Sequence, residues 1–262
     1  MQSVWKIDKP VHMIDFGCGY GYLGLKLLPL LPTGSKYTGV DAGVKLIEHA
    51  KELYKDLPYE TEFIVGDIQV ITFEQKYDMA ICQAFLMHMP DPKKVLTKMI
   101  DCVAEQGRIV CFEANWIANM ANYYDGIDQS KVIQLGLLQK LYELDAKREG
   151  KDGNIGIKLP IYLSQLGVKN IQCRVSDKVN FLDPSSDPEE MDKLFKSIRG
   201  DAPGERNQYI RNLMDRGITF EEAQQMFESE RLLSESSMRI TYCTSAPNMK
   251  ITFGNIVRED NQ

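Results

Sequence analysis

The sequence predicts an α/β protein: a doubly wound, mostly parallel sheet of seven strands with helical insertions after the fifth and sixth. Three observations carry this. The first 115 residues alternate short apolar runs with helix-length segments, a glycine-rich turn follows the first run directly, and two later stretches keep a 3.6-residue period. A chain of 262 residues can bury one large core or two smaller ones. The pattern favours one domain over 1–262, with helical inserts at 116–150 and 184–235.

Val11 to Phe16 opens the alternation as strand one, and Tyr37 to Asp41, Glu62 to Val65, Tyr77 to Cys82 and Arg108 to Glu113 follow as strands two to five. Gly21 to Leu31, Val44 to Leu57 and Pro92 to Val103 read as the helices between them. In the last of these, Val95, Leu96, Met99, Ile100 and Val103 share one helical face, and Glu105-Gln106-Gly107 ends it. Trp116 to Glu149 keeps helical spacing through Leu135, Leu137, Leu138, Leu141 and Leu144, so it reads as an insertion. Leu159 to Leu166 is a helix stopped by Gly167, and Asn170 to Val175 is strand six. In the second insertion Asp187-Pro188-Glu189-Glu190 supplies a cap, a proline at the first helical position and a glutamate at the third. Met191, Leu194, Phe195 and Ile198 form the buried face behind it. Thr219-Phe220-Glu221-Glu222 repeats the capping pattern ahead of Ala223, Met226 and Phe227, and Met249 to Val257 alternates as a last strand.

Composition narrows the function classes. The net charge is −6, and Asp183 to Glu235 alone holds 13 acidic against 7 basic residues, so the acidity belongs to one region. Such a chain is poorly suited to neutralising a phosphate backbone, and nucleic acid is not an expected partner. The cysteines (Cys18, Cys82, Cys102, Cys111, Cys173, Cys243) form no C-x-x-C pair, and several interrupt apolar runs. Buried thiols in a reducing cytoplasm, with no bound metal, are the expectation. No apolar run reaches the roughly 18 to 20 residues that span a bilayer, and the first ten residues lack the apolar core of a signal peptide.

Chemistry concentrates where strands end. Gly17-Cys18-Gly19-Tyr20-Gly21 empties strand one into a helix; missing Cβ atoms let backbone touch a ligand, and free N–H groups there favour an acidic group. Gly19-x-Gly21-x-x-Gly24 matches the dinucleotide fingerprint in form. In that fingerprint the first glycine follows the strand directly, whereas Asp15 and Gly17 already fill this turn. Asp15 suits a cationic, amino-acid-like group better than a pyrophosphate. Asp41 ends strand two, where a carboxylate can accept from both hydroxyls of a ribose or cap the next helix. Asp67, after strand three, stands beside a backbone N–H in a pairing that can read the edge of adenine.

Together Asp15-x-Gly17-x-Gly19-x-Gly21, Asp41 and Gly66-Asp67 resemble the class I, Rossmann-like S-adenosylmethionine-dependent methyltransferases, in particular the small-molecule branch of ubiquinone and menaquinone biosynthesis. The resemblance spans Val11 to Glu113 and resumes at Leu159 to Val175 and Met249 to Val257, where that family has its sixth strand and its antiparallel seventh. It implies S-adenosylmethionine as cofactor and S-adenosylhomocysteine as product. Asp15, Gly17, Cys18, Gly19 and Gly21 would hold the methionine part, Asp41 the ribose, and Asp67 with Ile68 the adenine. Leu46 would pack on the adenine face, and Gln83 would line the cofactor near the sulfonium.

Members that methylate amino groups of adenine or glutamine carry Asn/Asp-Pro-Pro-aromatic after strand four. This chain reads Gln83-Ala84-Phe85-Leu86 there, and it has no Pro-Cys pair for cytosine. Gln83 to Pro90 resembles the small-molecule members instead, with His88 as a general base or as a packing residue. The implied reaction is in-line methyl transfer to oxygen, nitrogen or carbon of a small, fairly apolar metabolite, governed by positioning and exclusion of water. An NAD-dependent oxidoreductase and a non-catalytic binding scaffold are the other readings. The insertions read as a lid whose Met120, Tyr123, Tyr124 and Phe195 face the substrate, or as a homodimer surface. Only ten residues precede Val11, whereas that family places helices ahead of strand one, so either the chain is truncated or another segment closes the site.

Overall fold

The computed structural model describes residues 5, 7–183, 185, 189, 202–236 and 242–258. Its strands are β1 (His12–Phe16), β2 (Lys36–Asp41), β3 (Glu60–Val65), β4 (Tyr77–Gln83), β5 (Val103–Ala114), β6 (Tyr123–Tyr124), β7 (Lys169–Asp177), β8 (Asn180–Leu182), β9 (Cys243–Ser245) and β10 (Asn248–Asn255). The α-helices are α1 (Tyr22–Leu27), α2 (Val44–Tyr54), α3 (Pro92–Cys102), α4 (Trp116–Ala121), α5 (Gln129–Val132), α6 (Leu135–Glu149), α7 (Leu159–Gln165), α8 (Arg206–Asp215) and α9 (Phe220–Ser236). Seven strands form one sheet in the order β3-β2-β1-β4-β5-β10-β7, mostly parallel with one antiparallel strand.

The central strands are buried on both faces, which is why they read as nearly continuous apolar runs. Met13, Ile14 and Phe16 of β1 and Met79 to Cys82 of β4 are all inaccessible. Parallel register sets Phe16 opposite Val40 and Cys82, and Asp41 opposite Val65. The carboxyl ends of β1, β2 and β3 are therefore level, and the loops that follow them open at one edge. This alignment positions the site.

The chain divides into two units: Met1–Glu113 with Ile155–Val175 and Lys250–Gln262, and Ala114–Asn154 with Ser176–Met249. The first holds the large sheet. The second contains α4 to α6, α8 and α9 with a three-stranded antiparallel sheet, β6-β9-β8. Its helix α9 begins with the expected reciprocal cap: the Glu222 amide donates to the Thr219 hydroxyl at 3.3 Å, and the Thr219 amide donates to the Glu222 carboxylate at 3.0 Å.

Several expectations change. The predicted helix from Gly21 to Leu31 ends at Leu27 and becomes a 3₁₀ turn over Leu28–Leu30, where Pro29 has no amide to continue the ladder. The insertion from Trp116 to Glu149 is not wholly helical: β6 interrupts it, and Gly126 turns at φ 87°. The predicted cap Asp187-Pro188-Glu189-Glu190 falls almost wholly outside the described residues, as do Met191, Leu194, Phe195 and Ile198. Among the described residues, no helix is long and apolar enough to cross a membrane.

Candidate active site

The glycine loop is shaped by backbone that only glycine adopts readily. Gly17, Gly19 and Gly21 have φ of 69°, 56° and 82°. Their surroundings differ. A Cβ on Gly17 would stand 2.1 Å from the Phe85 ring and one on Gly21 2.7 Å from Tyr54, whereas Gly19 has nothing within 4 Å of that position. Gly19 is thus the open point of the loop.

The amides of this loop are mostly used within the fold. Gly17 and Cys18 donate to the Val40 carbonyl at 2.9 and 3.1 Å, Gly21 to the Cys18 carbonyl at 2.8 Å, and Gly19 to Asp41 Oδ2 at 2.9 Å. This corrects the expectation of free N–H groups held out to an acidic ligand; the loop offers close approach of backbone instead. Cys18 contributes backbone alone, because its buried sulfur lies 2.8 Å from the Cβ position of Gly39. Burial, then the charges of Asp15 and Asp41, push that thiol well up, so it is no nucleophile.

Asp41 joins two loops. Its Oδ2 accepts from Gly19 and its Oδ1 from the Gly43 amide at 2.7 Å. A carboxylate has about four lone-pair sites, so each oxygen keeps an acceptor position. Beside it, Leu46 Cδ1 is 2.8 Å from the Cβ position of Gly43, and the leucine is 43% exposed. An exposed leucine lying against this turn is an apolar platform next to a carboxylate.

Asp67 closes its own turn: Oδ1 accepts from the Gln69 amide at 2.8 Å, and its carbonyl accepts from Val70 and Ile71 at 3.0 and 2.9 Å. Ile68 is buried in the main core, so it can meet a ligand only through backbone. Asp15 is also buried. The Tyr37 hydroxyl donates to its Oδ2 at 2.7 Å, and its Oδ1 has no partner. Burial pushes this carboxyl up to about 7, opposed by the Tyr37 hydrogen bond and reinforced by the charge of Asp41.

Gln83 ends β4 half-buried, opposite Phe112. Ala84 then takes a left-handed φ of 49° and donates its amide to the Phe112 carbonyl at 2.9 Å. What holds this turn is a residue that sequence reasoning missed as more than a strand end. Glu113 Oε1 accepts from the Phe85 and Leu86 amides at 2.9 and 2.8 Å, while Oε2 is buried without a partner. Burial pushes Glu113 up to about 7, against those backbone hydrogen bonds. The available signal was an acid closing the apolar run Ile109-Val110-Cys111-Phe112. His88 lies in the 3₁₀ turn Leu86–His88 and is exposed.

The side chains expected to form a lid separate. Tyr123 is buried and donates to Asp125 Oδ2 at 3.0 Å, a core role within the second unit. Met120 lines a small apolar cavity there with Val132, Leu138 and Met226. Tyr124 is exposed on β6, while Phe195 is outside the described residues.

A mostly parallel sheet with one antiparallel strand and a left-handed glycine loop level with carboxylates after β2 and β3 define a class I, Rossmann-like methyltransferase domain. Residues 7–146 match the model of the methyltransferase domain family, and the chain belongs to that family. The ubiquinone biosynthesis O-methyltransferase of Coxiella burnetii is 29% identical over 102 residues, which are 38% of this chain and 42% of that relative. The methyltransferase str2 of Strobilurus tenacellus is 24% identical over 178 residues, 65% of this chain and 60% of its own length. The chain thus spans less than two thirds of these relatives. Among solved structures, the phosphoethanolamine N-methyltransferase 2 of Haemonchus contortus, in complex with phosphomonomethylethanolamine and S-adenosylhomocysteine, has a TM-score of 0.53 at 10% identity, covering 98% of this chain and 51% of that one. The YcgJ protein of Bacillus subtilis has a TM-score of 0.53 at 14% identity, with 98% and 96% covered. At these identities the likeness is one of fold.

Proposed function

We propose that this protein binds S-adenosylmethionine and transfers its methyl group to an oxygen, nitrogen or carbon of a small, fairly apolar metabolite. The observation that carries this reading is the meeting of an open left-handed glycine, Gly19, with Asp41 at the level sheet edge that also bears Asp67. The residues fit the cofactor. Gly19 leaves room for a ligand against backbone, Asp41 keeps acceptor positions for two ribose hydroxyls, and the unpartnered Asp15 Oδ1 is an acceptor suited to an ammonium.

When bound, the cofactor supplies a methyl group on a sulfonium that already carries its leaving group. The chain's own part is to hold and orient. Asp41 fixes the ribose, Asp67 and the Ile68 amide read adenine, Leu46 covers its face, and Gln83 lines the end where transfer occurs. His88 takes up the proton where the acceptor is a hydroxyl or amine. Family membership favours this reading over a dinucleotide-dependent oxidoreductase. In the second unit Tyr124, Phe181 and Tyr242 are 58%, 60% and 62% exposed. Phe181 and Tyr242 are stacked at 6.2 Å, a surface suited to an apolar or planar body. Free cysteines suit a cytoplasmic site of action.

Calorimetric titration with S-adenosylhomocysteine tests the cofactor assignment. Asp41→Ala and Asp67→Ala should each weaken binding by about ten- to a hundredfold, the loss of one or two charge-assisted hydrogen bonds. No binding by the unaltered protein would overturn the reading.

A further inference from the structure

The turn after β3 is fixed from two sides. Asp67 collects its amides, as described above, and its outward carbonyls converge on one ammonium from α3. Lys98 Nζ donates to the carbonyls of Ile68 at 2.9 Å, Gln69 at 2.6 Å and Ile71 at 3.3 Å. An ammonium has three donors, and all three are used here.

This arrangement fixes the direction of one particular amide. The peptide before Ile68 is held because its carbonyl, that of Asp67, accepts from Val70 and Ile71. The peptide after Ile68 is held by Lys98, and the Ile68 side chain is anchored in the core. With both flanking planes and the side chain fixed, the Ile68 N–H has little freedom to turn. Fixing a recognition group before the ligand arrives lowers the entropy lost on binding.

We propose that Lys98 is a positioning residue for recognition of the cofactor's base: its ammonium sets the Asp67–Ile68 edge so that an aminopurine is preferred over an oxopurine. This rests on the cofactor reading given above. An adenine presents an amino donor to the Asp67 carboxylate, whereas hypoxanthine presents an oxygen, which a carboxylate repels. That discrimination depends on how rigidly the edge is held. A group left free to turn can retreat from the wrong base, and it then selects less.

The test measures affinity for S-adenosylhomocysteine and for its deaminated analogue carrying hypoxanthine, in the wild type, Lys98→Met and Lys98→Arg. Methionine keeps the length and apolar stem of lysine and removes the charge. Lys98→Met should weaken S-adenosylhomocysteine binding by about tenfold, equivalent to about 1.4 kcal/mol, and reduce the preference over the analogue by a similar factor. Lys98→Arg, which keeps several donors, should restore most of that preference. Preference unchanged in Lys98→Met, even with lower affinity or Tm, would overturn the proposal by reducing Lys98 to a structural support. Hydrogen exchange at the Val70 and Ile71 amides of the ligand-free protein separates the two readings. Faster exchange in Lys98→Met while the wild type binds neither ligand would leave the clamp standing, overturn the cofactor reading, and with it the role in base selection.

Discussion

Gly19→Ala is expected to weaken S-adenosylhomocysteine binding by at least about tenfold while lowering Tm by about 2–8 °C, and Gly17→Ala to do the reverse in emphasis. Both glycines have a left-handed φ, so alanine costs about 1–2 kcal/mol of backbone energy at either position. They part in what the new methyl meets. At Gly19 the nearest 4 Å is empty, so the fold tolerates the methyl but a ligand resting on the backbone does not. At Gly17 the methyl would stand 2.1 Å from the Phe85 ring, closer than any real contact, and either the ring or the loop must move. Overpacking of that kind adds about 1–3 kcal/mol, for a total of about 2–5 kcal/mol and a fall in Tm on the order of 10 °C. Thermal melts and calorimetry on both variants provide the comparison. Equal losses of affinity and Tm in the two would show that the loop acts only as a turn.

The same pair explains why the fold could be read from sequence more fully than the site. The strands ending at Phe16, Asp41, Val65 and Gln83 emerge within two residues of where the runs place them; β1, β2 and β4 are central and largely buried, whereas the edge strand β3 buries only Phe63. Two-residue β6 and three-residue β8 carry too few positions for a period of two to register, so the small sheet was invisible and its insertion looked wholly helical. In the site, residues that act through side-chain charge at a strand end, Asp41 and Asp67, could be named from type and spacing. The glycine loop could be located, but not how its amides are used, since that depends on Val40 and Asp41 arriving from another strand. Glu113 and Lys98 were missed for a related reason. Each serves a loop distant in sequence, Glu113 the turn at Phe85 and Lys98 the turn at Ile68, and neither sits in a local pattern that announces the partnership.

Those buried acids lead to the second large effect, a stability that falls as pH rises toward neutrality. Asp15 and Glu113 are raised from 3.8 and 4.5 to about 7, in both cases chiefly by burial. Between about pH 4 and 7 the folded protein therefore holds protons that the unfolded chain has already released. The sign follows directly: the stability linked to these protons is complete below the unfolded values and is lost as pH climbs through the folded ones. At about 1.4 kcal/mol per tenfold change in proton affinity, the loss approaches about 4 kcal/mol for Asp15 and about 3 kcal/mol for Glu113. Chemical denaturation between pH 4 and 8 should show this slope, flattening above about pH 7, and Asp15→Asn and Glu113→Gln should each remove part of it. Glutamine keeps an oxygen for the Phe85 and Leu86 amides, so its effect should fall on the slope more than on the fold. Binding adds a further expectation. If the ligand's ammonium meets Asp15 Oδ1, it favours the carboxylate, so S-adenosylhomocysteine should release a fraction of a proton near pH 7 and bind more tightly as pH rises through that range. Titrations in buffers of different ionisation enthalpy measure that release. A release that persists in Asp15→Asn would move the ammonium elsewhere; its disappearance there, with binding retained, would place the charge of the methionine part against Asp15.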